Sequence, residues 1–218
     1  MVGHVIQIGD FGYPAGLRQS KYPPDKLYYE GDIELLNNQK IIAVIGTRRM
    51  SEYGKIVTAQ FVRGLVEEGY LIVSGLARGV DRVAHETCLK TGGKTIAVLA
   101  HGLQMTYPPE HQKLREAIVN GGGLLISEWG DDIELTKQQL ILRNRIVVGI
   151  SNAVLVTESP KSSGTKNTVG WAAEAGKDVY IVPGPVTDPT YEGSVELMRE
   201  GCIAVFSVRD LIEQIEGV

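Results

Sequence analysis

Two cysteines in 218 residues, Cys88 and Cys202, are too few for a disulfide framework. Each sits in an apolar pattern, so both read as buried free thiols of a protein kept in a reducing cytosol. No apolar run approaches the ~20 residues that a membrane span needs. The opening MVGHVIQIGDFGYP has neither the basic start nor the long apolar core of a secretion signal. Aromatic residues make up only 6% of the chain, which limits any base-stacking surface to a few side chains. Basic residues are not in excess: 22 Lys and Arg stand against 26 Asp and Glu, a net charge of −4. That total rules out a protein coated in positive charge and leaves room for a local basic site. HExxH, a close His/Cys set, GxSxG and GxxxxGK[ST] are all missing, which removes the usual signs of zinc, serine-hydrolase and P-loop chemistry.

From residue 41 onward two kinds of segment alternate. IIAVI (41–45), YLIV (70–73), TIAVL (95–99), LLI (124–126), AVLV (153–156), VYIV (179–182) and CIAVF (202–206) are short and apolar at nearly every position. Such runs suit strands buried on both faces, as in a parallel sheet. Between them lie segments of helical spacing. The first has Ser51 as N-cap, a Val57–Phe61–Leu65 stripe and Gly69 as stop. Others are expected over about 79–90, 108–120, 137–150, 166–175 and 208–215. Alternation of this kind predicts an α/β fold: a three-layer, Rossmann-like, doubly wound and mainly parallel sheet of six to seven or more strands. Residues 1–40 hold three of the nine prolines and no strong period. They read as an N-terminal extension packed on the core, with 41–218 as the Rossmann-like domain.

Ligands of open α/β sheets sit at the carboxyl ends of the strands. Here those ends carry GTRRMS (46–51), SGLARGVD (74–81), HGLQMTYPPE (101–110), TESPKSSGTKNT (157–168) and PGPVTDP (183–189), rich in glycine, hydroxyls and cations. Arg48, Arg78 and Lys166 fall where strands hand over to helices, whose free N–H groups attract anions. The pattern points to a pocket for one or more phosphates. A dinucleotide fits poorly, because only Gly46 stands where the fingerprint needs three glycines and strand two ends in Ser74 rather than an acid. Asp81 reads as a cap or an orienter of arginine. His85 reads as a helix residue bonding locally; His101 is placed equally well in the pocket or in the core. Glu128, Asp131 and Asp132 read as a solvated loop, and Tyr107–Pro108–Pro109 as a rigid helix entry.

The motifs VIGTRRMSEYG, IVSGLARGVDRVAH, TIAVLAHGLQMTYPPEH, LLISEW, LRNRIVVGISNAVLVTES, SGT and VYIVPGPVTDP occur in this order. The chain resembles the DNA processing protein A family, also called DprA or Smf, over residues 11–216. The resemblance implies an extended Rossmann fold that binds single-stranded DNA, loads a RecA-type recombinase in natural transformation, self-associates as a dimer, and needs no metal or other cofactor. It carries the family's phosphate pocket onto Gly46, Thr47 and Arg48; onto Ser74, Gly75, Arg78, Gly79 and Asp81; and onto Arg143, Asn144 and Arg145. Ser163, Gly164, Thr165 and Lys166 join the candidate set after strand five. The chain departs from the family in KQQLIL before RNR, in SSGTKNT for the usual SGSL stretch and in GSVELM for GxNxLI. The helical N-terminal and winged-helix C-terminal domains of many members are not found in it. Tyr53 and Tyr107 are the candidates for stacking.

Two other readings stay open. One is a nucleotide N-glycosidase of the LOG type, which the chain resembles at Gly164–Thr165; Thr168 stands where the acid of PGGxGTxxE belongs, and Glu174 lies too far along the helix to replace it. The other is a sensor that holds a small nucleotide in the same pocket.

Overall fold

The computed structural model describes residues 4–217. Its chain runs β1 (His4–Gln7), α1 (Ala15–Arg18), β2 (Lys26–Gly31), β3 (Ile41–Ile45), α2 (Glu52–Glu67), β4 (Leu71–Ser74), α3 (Val80–Lys90), β5 (Thr95–Leu99), α4 (Gln112–Asn120), β6 (Leu124–Ser127), α5 (Lys137–Leu142), α6 (Asn144–Ile150), β7 (Ala153–Val156), α7 (Thr165–Glu174), β8 (Val179–Ile181), α8 (Glu192–Arg199), β9 (Ile203–Ala204) and α9 (Val208–Glu216). One sheet has the order β1-β2-β6-β5-β4-β3-β7-β8-β9. Strands β3 to β9 pair in parallel, and β1 and β2 add antiparallel at the β6 edge.

The continuous apolar runs follow from burial on both sides. In β3, Ile41, Ala43 and Ile45 face the core shared with α6 and α7, while Ile42 and Val44 face the core shared with α2 and α3. The sheet has two strands more than the seven apolar runs. Strands β1 and β2 belong to the proline-bearing segment and lack such runs, because an antiparallel edge buries only part of its surface. Helix α2 starts where its sequence says: the Ser51 hydroxyl accepts from Gly54 N, Val57, Phe61 and Leu65 are buried, and Gly69 turns out with φ +80°.

The single helix expected over 137–150 is two helices meeting at Arg143. Arg143 keeps helical angles, but its carbonyl accepts from Ile146 N, a tighter three-residue closure. Its side chain turns inward at this joint. Cys88 is buried and Cys202 half-buried, and both are free. Among the described residues no helix is long and apolar enough to cross a membrane, and no group of three or more His, Cys, Asp or Glu could hold a metal ion.

Candidate functional site

From β3 the chain winds outward through β4, β5 and β6, then returns to β7 on the other side of β3. The loops leaving β3 and β7 therefore diverge, and the crevice between them is where a doubly wound sheet binds its ligand. A cleft of about 740 Å³ lies here. Gly46, Thr47, Arg48, Gly75, Asp81, Arg143, Asn144, Ser163, Gly164 and Thr165 all line it. Arg78 lines a narrow hollow that opens beside it and shares Arg48, Gly75 and Arg143 with the cleft. His101 and Tyr107 line that hollow too.

Four expected residues are placed otherwise. Ser74 is fully buried beneath the cleft and donates to Val44 O. Gly79 opens α3 with φ +76°, packed so closely on Thr47 O and Arg48 that a side chain has no room. Arg145 is turned to another face, where it donates to Tyr22 O at 2.9 Å and to Glu128 at 2.5 Å. Glu128 is thus a half-buried ion-pair partner and no solvated loop acid. Lys166 pairs with Glu196 at 2.6 Å outside the cleft lining. His85 is fully buried and bonds across to Thr95 of β5 rather than locally on its helix. Tyr53 donates to Pro183 O and does not line the cleft.

Sequence reasoning also passed over cleft residues. Arg49 and Lys137 line the cleft and, like Arg48, have no ion-pair partner among the described residues. Asp81 is the one acid in the lining, so a chain of net −4 presents a basic cleft. Arg78, more than half exposed, is aimed by Glu110, whose Oε1 accepts from its Nε at 2.5 Å. That bond holds the Glu110 carboxyl down at about 2.

Arg143 and Asp81 brace the turn after β4 from two sides. The Arg143 guanidinium is only 4% exposed and donates to Gly75 O and Val98 O. Gly75 must be glycine here, because a Cβ would overlap that guanidinium. Burial lowers the arginine to about 10, with Asp81 opposing the shift, so it remains charged at neutral pH. Asp81 accepts from Gly75 N and Ala77 N at 3.1 and 3.3 Å. Burial pushes its carboxyl up, and Arg143 pulls it back. Asp81 is an orienter of the arginine loop, with its oxygen already engaged.

A residue with no role in the sequence reading holds the other wall. Glu158, directly after β7, is fully buried. Its carboxylate accepts from Ser51 N at 3.0 Å, Ser51 Oγ at 2.7 Å and Tyr191 Oη at 3.2 Å, and its backbone O accepts from Thr47 N. The N-terminus of α2 is therefore filled by an internal anion, and its dipole steadies that anion. The signal available was an acid placed directly after an apolar strand at the switch point. Gly54 makes the fit possible, since a Cβ there would run into the Glu158 carboxylate. Alanine for glycine inside a helix ordinarily stabilises by about 1 kcal/mol. Gly54→Ala is expected to reverse that sign and destabilise by about 1–3 kcal/mol, read as the midpoint of urea unfolding, because it displaces a buried charge from its donors.

The free N-terminus on the cleft is that of α7, where Gly164 is the cap and Ser163 Oγ, Thr165 Oγ1 and Thr165 N bond to one another. Thr168 faces the cleft and Glu174 does not line it, so among the described residues no unengaged carboxylate stands there for acid–base work.

Fold and cleft together define the class: an extended Rossmann-like protein with a basic strand-end cleft at its switch point. The chain belongs to the DNA recombination-mediator protein A family, whose profile matches residues 4–216. It is 34% identical over 212 residues to the DNA processing protein DprA of Bacillus subtilis, covering 97% of this chain and 71% of that one. The crystal structure of DprA from Streptococcus pneumoniae superposes with a TM-score of 0.90 at 36% identity, over 96% of this chain and 73% of the other. A structure of DNA processing protein A from Helicobacter pylori, described for its single-stranded DNA binding mode, gives 0.86 at 30% identity, over 99% and 97% of the two chains.

Proposed function

We propose that this protein binds single-stranded DNA by its backbone phosphates in the cleft, and that it is a binding module and not an enzyme. The observation that carries the reading is the meeting of Arg48, Arg78 and Arg143 from three separate segments, with the open N-terminus of α7 opposite them. Cations beside a helix start suit a chain of phosphates. Arg48 and Arg49 offer free donors at the mouth, Arg143 supplies fixed charge from below, and Arg78 exchanges Glu110 for a phosphate. Tyr107, 40% exposed in the hollow next to Arg78, is placed to meet a base. Phosphate contacts are blind to sequence, so binding is broad in specificity and sensitive to salt. In the cell the protein acts on single strands during DNA uptake and recombination, as a homodimer that passes the strand to a RecA-type recombinase.

Arg48→Ala is expected to weaken binding of oligothymidylate and mixed-sequence strands alike, by about tenfold. It also lowers the log–log salt slope by about 0.7, the share of one phosphate. Fluorescence anisotropy at several salt concentrations measures both. An unchanged affinity in Arg48→Ala, or release of free base from nucleoside monophosphates, would remove this reading.

A further inference from the structure

The RNR motif sends its two arginines to different places. Arg143 goes beneath the cleft, and Arg145 helps to line a separate pocket of about 250 Å³ between α6, α7 and the segment after α1. This second pocket has an aromatic wall. Tyr22 and Trp171 meet edge to face, with ring centroids 6.1 Å apart. In a chain with only two tryptophans, one stands here, half-buried on α7. The Tyr22 residue is 54% exposed, yet its backbone carbonyl is tied down by Arg145 Nε. Lys21 sits over the Tyr22 ring at 5.3 Å and has only a loose pair with Glu174 at 3.7 Å, so its ammonium is free to turn to a phosphate. On the floor, Lys177 donates to Val148 O, Gly149 O and Ser151 O, which fixes the end of α6.

The two pockets share α7. Thr165, Asn167 and Thr168 line the cleft, and Trp171 lies one turn beyond Asn167 on the same side of the helix. The axial distance from Thr165 to Trp171 is about 9 Å. We infer that the Tyr22–Trp171 pocket is a second nucleotide subsite, where a strand leaving the cleft along α7 stacks one base on the aromatic wall and places the adjoining phosphate at Lys21. The inference rests on the cleft being the strand's first site. Arg145 acts here as a positioning residue that holds Tyr22 for the base. Stacking on a ring tolerates any base, which matches the phosphate-led cleft.

The test uses the full chain with Trp129→Phe, which leaves Trp171 as the sole tryptophan. Oligothymidylates of increasing length, and thymidine monophosphate, are titrated while Trp171 emission is followed. Quenching is expected only for strands long enough to reach beyond the cleft. Tyr22→Ala, a change at an exposed ring, is expected to weaken those long strands by about tenfold and to leave the shortest unaffected. Lys21→Glu is expected to act in the same direction. Long strands that still need Arg48, but bind equally to Tyr22→Ala and leave Trp171 emission unchanged, would overturn the subsite and spare the cleft. Quenching by thymidine monophosphate as complete as that by the long strand would overturn the continuity and make the pocket a separate nucleotide site. Binding that ignores Arg48 would remove the cleft reading and, with it, the path proposed here.

Discussion

Arg143→Met should cost about 3–5 kcal/mol of stability, because two buried carbonyls lose a donor at about 1–3 kcal/mol each and a buried carboxylate loses a neighbouring cation. The guanidinium is 4% exposed and Asp81 is 7% exposed, so neither can turn to water. Methionine fills much of the volume but takes the Arg143 donor from Gly75 O and Val98 O and removes the cation that most opposes the burial of Asp81. The double variant Arg143→Met, Asp81→Asn should recover part of the loss, because no bare carboxylate is then buried. Guanidinium unfolding of the four proteins completes the cycle, and a loss below about 1 kcal/mol in the single variant would mean that the pair is not under tension with the core. Strand affinity should fall in the same variant, since the turn that presents Arg78 loses one of its two braces.

Acidification gives the second large effect. His85 is fully buried, and burial, helped by His111 and Arg143, lowers it to about 3 from an ordinary value near 6.5. Its Nδ1 meets Thr95 Oγ1, which itself donates to Ile72 O. Thr95 must therefore accept, so the proton of His85 sits on Nδ1, and Nε2 has no partner among the described residues. Between pH 6.5 and 3 the unfolded chain holds a proton here that the folded chain refuses. Stability is then complete above about pH 6.5 and declines as pH falls, by up to about 1.4 kcal/mol per unit. From pH 7 to 4.5 the loss from His85 alone should be about 2–3 kcal/mol. Glu110, held down at about 2, slopes the same way, so the parent must be compared with His85→Gln. Chemical unfolding at both pH values should show the shallower dependence in the variant; equal dependence would mean that His85 is already solvated in the native protein.

The parallel sheet was plain from the chain because a strand buried on both faces has to be apolar at every position, as in IIAVI and TIAVL. Strands β1 and β2 were hidden by the same physics, since KLYYEG, one strand in from the antiparallel edge, is only partly buried and shows no such run. Ten of the fifteen candidate residues line the cleft; strand ends supplied eight of them, and the RNR resemblance supplied Arg143 and Asn144. Arg145 was assigned there through its motif. Residues two apart on a helix point about 200° from each other, so Arg143 and Arg145 could not both enter one pocket. Lys166 was drawn off by Glu196, thirty positions later, a pairing that no local pattern displays. Glu158 was overlooked because its donors, Ser51 and Tyr191, come from far along the chain on either side.

The carboxylate of Glu158 has a consequence for the speed of capture. Residues 47–51 are held at both ends by Glu158, Ser51 by its carboxylate and Thr47 N by its backbone carbonyl, with Arg49 N additionally held by Thr47 Oγ1. The arginine loop therefore has little freedom left to lose on taking up the proposed strand. Under the proposed function the entropy of association would fall on the flexible strand instead, and a rigid, ready-made landing site would let encounter rather than rearrangement set the rate.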